Sequence, residues 1–223
     1  MLLRYKKIIF LLPPKTGSSS FVKMLKDNGF EFEMVKTQLH PFLSEIIKYY
    51  KIEDISEYKI YQLCRNPFDR MVSSFYFQKK IIKDKKRYRE FIDLSFDDFI
   101  KLITDNVDLL SNNIDSFCKN VFNDSKFSTR HLPSAYGIRF YIPQTKWVNE
   151  NVDVTYLKIE DLNKDLSILQ NILDTNKKLI LPKINSNHVD ISYNEMYSNK
   201  NIEMMKQVYS EDFLKLNYFT KPK

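Results

Sequence analysis

Glycine is nearly absent from this chain: of 223 residues only Gly17, Gly29 and Gly137 lack a side chain. Each therefore marks a backbone position with a special requirement, and no loop can be built on repeated glycines. Cysteine is scarcer still. Cys64 and Cys118 are too few for a disulfide scaffold and have no CxxC spacing for a metal cluster, so two buried thiols are expected, with a single bridge as the alternative. Long apolar runs are also missing. The one near the start, Ile8 to Leu12, is too short for a signal peptide or a membrane span. These absences point to a soluble, cytoplasmic protein without a membrane anchor. No repeat, low-complexity tract or linker divides the chain, so a single domain over 1–223 is expected.

What is present is an ordinary globular balance, 43% hydrophobic and 28% charged. The formal charge is +7, which favours an anionic ligand or surface. Nucleic acid, acidic lipid, a nucleotide or a sulfated sugar would all satisfy that charge. The densest lysine group, Lys79, Lys80, Lys83, Lys85 and Lys86, reads as a solvated helix face.

The apolar run from Lys6 to Pro13 has the character of a buried parallel strand. Phe21, Met24 and Leu25 fall at helical spacing within Ser18 to Asn28, and Gly29 follows as a stop. Phe30 to Thr37 reads as a second strand and Phe42 to Tyr50 as a second helix. Tyr58 to Cys64 is a third strand, after which Pro67 suits the first turn of a helix. About Ser95 to Asn120 reads as helical, Lys126 to Gln144 as irregular and Val152 to Ile159 as a strand. Helices near Leu166 to Leu173 and Asn201 to Tyr209 close the chain. Alternating strands and helices predict an α/β fold, a P-loop-like parallel sheet flanked by helices.

The first strand runs into PPKTGSSS, Pro13 to Ser20. A strand, a short turn and a helix aim several N–H groups at one spot, at the positive end of a helix dipole. Lys15 adds a full charge, Gly17 permits close approach, and Thr16, Ser18, Ser19 and Ser20 add hydroxyls. An ATP phosphate loop needs GxxxxGK[ST], with the lysine after the last glycine. Here Lys15 precedes Gly17 and no earlier glycine exists, which argues against ATP chemistry. A second stretch, RNPFDRMVSSFY from Arg65 to Tyr76, again sets a strand end against a helix start. Arg65 at the strand terminus and Ser73, two turns on, form a candidate pair for a second anionic group.

PKTGSSS resembles the 5′-phosphosulfate loop of sulfotransferases, and RNPFDRMVSSFY is similar to their 3′-phosphate motif. YLKIEDLNKDL (Tyr156 to Leu166), LPKINSNH (Leu181 to His188) and VYSEDFLKLNYF (Val208 to Phe219) resemble later segments of the carbohydrate-type branch. The resemblance implies a donor, 3′-phosphoadenosine 5′-phosphosulfate, with adenosine 3′,5′-bisphosphate as product and no required metal. Its acceptor would be a small-molecule or glycan hydroxyl. Carried over by position, Lys15 stabilises the leaving phosphate oxygen, Thr16 to Ser20 cradle the 5′-phosphate, and Arg65 and Ser73 hold the 3′-phosphate.

Related enzymes place a base after the second strand, which implies His40, with Glu31 and Glu33 as alternates. Arg70 is expected to pair with a neighbour such as Asp69 or to pack its helix. His131 and Arg139 lie where acceptor loops tend to be, and Lys183, Asn185 and His188 where relatives close over the nucleotide. Trp147, Phe75 and Tyr76 are expected in the core. Two rivals stand beside this reading. One is a P-loop-type nucleotide or small-molecule kinase. The other is a nucleic-acid-binding protein, for which no helix-turn-helix or RNA-binding signature is found.

Overall fold

A computed structural model describes residues 1–36, 40–85, 94–105, 138–148, 151–184 and 193–219. In chain order its strands and α-helices are β1 (Leu2–Leu3), β2 (Ile8–Leu11), α1 (Ser18–Asp27), α2 (Leu43–Tyr50), β3 (Lys59–Cys64), α3 (Pro67–Lys85) and α4 (Phe96–Asp105). There follow β4 (Val154–Lys158), α5 (Ile159–Leu162), α6 (Ser167–Leu173), α7 (Asn199–Val208) and α8 (Ser210–Lys215). The chain forms two compact units, each from separate stretches. One comprises Met1–Arg65 with Lys146–Ser186, the other Asn66–Thr145 with Asn187–Lys223.

The first unit holds the whole sheet, in spatial order β1-β2-β3-β4. β2, β3 and β4 run parallel, with Phe10 opposite Tyr61 and Gln62 opposite Tyr156, while β1 joins the edge antiparallel. All four residues of β2 are buried, which is why the strand reads as a continuous apolar run rather than an alternation. Phe21, Met24 and Leu25 turn one face of α1 onto this sheet, and the Phe21 ring lies 4.9 Å from that of Phe10. Each such side chain contributes about 1.5–3 kcal/mol through burial. α1 stops where Gly29 adopts φ +75° and the Phe30 N–H reaches back to the Leu25 carbonyl at 3.0 Å. This is a left-handed helix terminator that needs no Cβ.

Phe30 to Thr37 is not the strand expected. Within it a single antiparallel bridge joins Glu33 to Leu2, and Thr37 lies outside the described residues. Phe30, Phe32 and Met34 still pack against the core. Their alternation thus records packing of an extended segment that lacks a backbone ladder.

In the second unit, Pro67 is the first residue of α3 and the Asn66 side chain accepts the Phe68 N–H at 2.9 Å. Phe68, Phe75, Phe96, Phe99 and Tyr197 form an aromatic core with ring separations of 4.9–6.2 Å. Arg70 is buried here, in keeping with the helix-packing alternative expected for it. Its guanidinium donates to the Ile142 carbonyl at 2.9 Å and the Arg139 carbonyl at 3.0 Å. Asp212, also buried, accepts the backbone N–H groups of Gln144 at 2.8 Å and Thr145 at 2.9 Å. Burial holds its carboxyl above the ordinary value despite these donors.

Candidate anion-binding edge of the sheet

β2 leaves the sheet through Leu12, Pro13 and Pro14, all buried. The Thr16 hydroxyl donates to the Pro13 carbonyl at 2.7 Å and closes a tight turn. Lys15, inside that turn, sits at φ +65°, a left-handed conformation a non-glycine residue rarely takes. Gly17 follows at φ +83°. A Cβ there would lie 2.6 Å from Cδ1 of Ile159, the residue that leaves β4, so both backbone angle and space demand glycine. α1 begins at Ser18, and Gly17 offers no side-chain cap to its first-turn N–H groups. These donors, with the helix dipole, form the electropositive end of the loop.

β3 ends at Cys64, which is buried. The next residue, Arg65, is half-buried, and its Nη1 donates to the Lys15 carbonyl at 3.1 Å. Residues fifty positions apart, each at the carboxyl end of a parallel strand, are therefore joined directly. Carboxyl ends of parallel strands are where open α/β sheets bind ligands.

Beside the loop lies a cavity of about 510 Å³, lined in part by Leu12, Ser18, Ser19 and His40. His40 Nδ1 is 2.7 Å from the Leu12 carbonyl oxygen. A carbonyl only accepts, so Nδ1 carries the hydrogen and the basic lone pair of the neutral ring falls on Nε2. The turn holding His40 is anchored by α2, where the Glu45 carboxylate accepts the Phe42 N–H at 2.7 Å.

The five residues Thr16 to Ser20 do not serve alike. Thr16 is fully buried and its hydroxyl proton is committed to Pro13, which leaves its backbone as its contribution. Ser20 is 8% exposed and its Oγ accepts the Ile184 N–H at 3.3 Å. Ser18 is half-buried and Ser19 exposed at the cavity. Of the alternates to His40, Glu33 is ion-paired with Arg4 at 2.9 Å and Glu31 is exposed.

Ser73 lies in the second unit, half-buried on α3. Its neighbour Ser74 is fully buried and donates to the Arg70 carbonyl at 2.9 Å. Arg139 is buried at 6% exposure, and Trp147 and Phe75 are buried as expected. Tyr76 is half-buried, with its hydroxyl 3.4 Å from the Met196 sulfur. Lys183 is exposed. His131, Asn185, His188 and Cys118 lie outside the described residues. Sequence reasoning missed the Ile159 wall behind Gly17 and three charged groups of α1 at the cavity, Lys23, Lys26 and Asp27. The latter carried a signal, since they continue the two i, i+4 rows that start at Ser18 and Ser19.

Among the described residues no three His, Cys, Asp or Glu side chains are grouped to hold a metal ion, and no helix is long and apolar enough to cross a membrane. No protein-family model, curated protein or solved structure matches the chain.

Proposed function

We propose that this chain is a sulfotransferase on a P-loop-like α/β scaffold. It would move a sulfuryl group from 3′-phosphoadenosine 5′-phosphosulfate to an acceptor hydroxyl, in the carbohydrate class. The observation that carries the reading is the Arg65 to Lys15 hydrogen bond, which joins the two anion motifs at one sheet edge. The residues fit such a donor. One cation and an uncapped helix start sit at the loop, and a second cation stands beside them.

The donor supplies an activated S–O bond, which breaks as the acceptor oxygen bonds to sulfur and leaves its electron pair on the 5′-phosphate oxygen. Lys15 and the first-turn N–H groups of α1 bind that oxygen and offset its growing charge. Arg65 would bind the 3′-phosphate. His40 takes the acceptor's proton on Nε2, the nitrogen that its bond to Leu12 leaves basic. A sulfuryl group is less negative than a phosphoryl group, so these donors suffice without a metal clamp.

Thermal shift with adenosine 3′,5′-bisphosphate, against magnesium ATP, tests the reading. At a hundredfold excess over Kd the bisphosphate is expected to stabilise the fold by about 2.7 kcal/mol, with no comparable shift from ATP. Stabilisation by magnesium ATP alone would replace it with the kinase reading.

A further inference from the structure

We infer that the cavity beside His40 is the acceptor cleft and that Lys26 selects an elongated, hydroxylated acceptor with an anionic group at its far end. The inference rests on the sulfotransferase reading for the word acceptor, but its binding site is defined by this cavity alone. Two rows of α1 side chains floor the cleft, Ser18–Val22–Lys26 and Ser19–Lys23–Asp27. At 1.5 Å per residue, Lys26 stands about 12 Å along the helix axis from Ser18. His40 is at the Ser18 end, where Leu12 fixes its ring. The reacting hydroxyl therefore belongs at one end of the cleft and Lys26 at the other. Two linked sugar rings bridge that span and one does not.

Charge decides what the far end accepts. Lys23 and Asp27 form an ion pair at 2.9 Å and cancel. Lys26 has no ion pair among the described residues, so the cleft keeps one uncompensated positive charge. Val22, Leu12 and Met34 add apolar surface to the lining, suited to the flat face of a sugar ring. Lys26 also complements the dipole at the end of α1, but that role does not distinguish one acceptor from another.

The test titrates two disaccharides into isotope-labelled protein and follows the His40 ring resonance. One is cellobiose; the other is cellobiouronic acid, its counterpart with a carboxylate on the terminal ring. At low salt the acid is expected to bind about three- to fivefold more tightly, the range of an exposed ion pair. Lys26→Ala should make the two equal, and Lys26→Glu should reverse the order. Asp27→Asn, which releases Lys23, should widen the preference. Equal affinities in the wild type, an unchanged preference in Lys26→Ala, or no movement of His40 with either sugar would overturn the inference. Bisphosphate binding is measured separately. If the bisphosphate binds and the charge preference is absent, the cleft assignment fails and the donor reading stands. If the preference appears without bisphosphate binding, the cleft is an acidic-saccharide site and the sulfotransferase reading fails.

Discussion

Arg65 combines two tasks that its residue type makes compatible. A guanidinium presents five N–H donors in a fixed fork, so Nη1 can hold the Lys15 carbonyl while other donors face an anion. Replacing it with alanine is expected to weaken adenosine 3′,5′-bisphosphate binding by about 1.5–3 kcal/mol, roughly ten- to over a hundredfold in Kd. Arg65→Lys restores the charge but not the fork, and calorimetry should find only partial recovery. Wild-type affinity in Arg65→Ala would remove the residue from the site. His40 predicts a different signature. His40→Ala should lower kcat by roughly 10²–10⁴ and leave bisphosphate affinity unchanged, because the ring handles the acceptor's proton and not the nucleotide. Comparable turnover by the variant would end that assignment. Side-chain partners were the least legible feature of the sequence. Arg70 has Asp69 beside it, yet it bonds to carbonyls about seventy positions away, and no local pattern encodes such a contact.

Among the elements, those that bury a periodic face were readable. β2 carries an apolar run and α1 shows helical spacing bounded by two glycines, so the loop between β2 and α1 could be located from sequence. The same logic misread Phe30 to Thr37, where period-two alternation comes from Phe32 and Met34 packing on the core rather than from strand pairing. β1 went unseen because two residues have no period to detect. Gly17 was legible as a special position, but the Ile159 wall behind it required the sheet order that brings β4 beside β3. Gly17→Ala is expected to destabilise the fold by about 1–3 kcal/mol, combining left-handed strain with the 2.6 Å clash. Pairing it with Ile159→Val removes the Cδ1 contact and should recover part of that loss, while the strain remains. A double-mutant cycle by urea unfolding measures the coupling. Strict additivity would separate the loop from the exit of β4.

At the scale of the molecule, two buried ionisable groups give opposite pH dependences. In a chain that begins at Met1, the α-amino group donates to the Phe10 carbonyl at 3.0 Å, and burial lowers its pKa from 8.0 to about 5. Between about pH 5 and 8 the unfolded chain therefore holds a proton that the folded chain does not. Stability must rise with pH across that window, by up to about 1.4 kcal/mol per unit and a few kcal/mol in total. Asp212 acts in the other sense. Its carboxyl is raised by burial, so above the ordinary 3.8 the folded form holds the extra proton and stability falls as pH increases. Asp212→Asn separates the two. It forfeits stability at every pH, since an amide cannot accept both the Gln144 and Thr145 N–H groups as the carboxylate does. Its unfolding free energy should lose the limb that falls as pH rises above 3.8 and keep the rise from about 5 to 8. Urea titrations of both proteins across that range provide the comparison. A flat profile between pH 5 and 8 in the variant would mean that the amine does not lose its proton on folding, and that the Met1 end of β1 opens to water in solution.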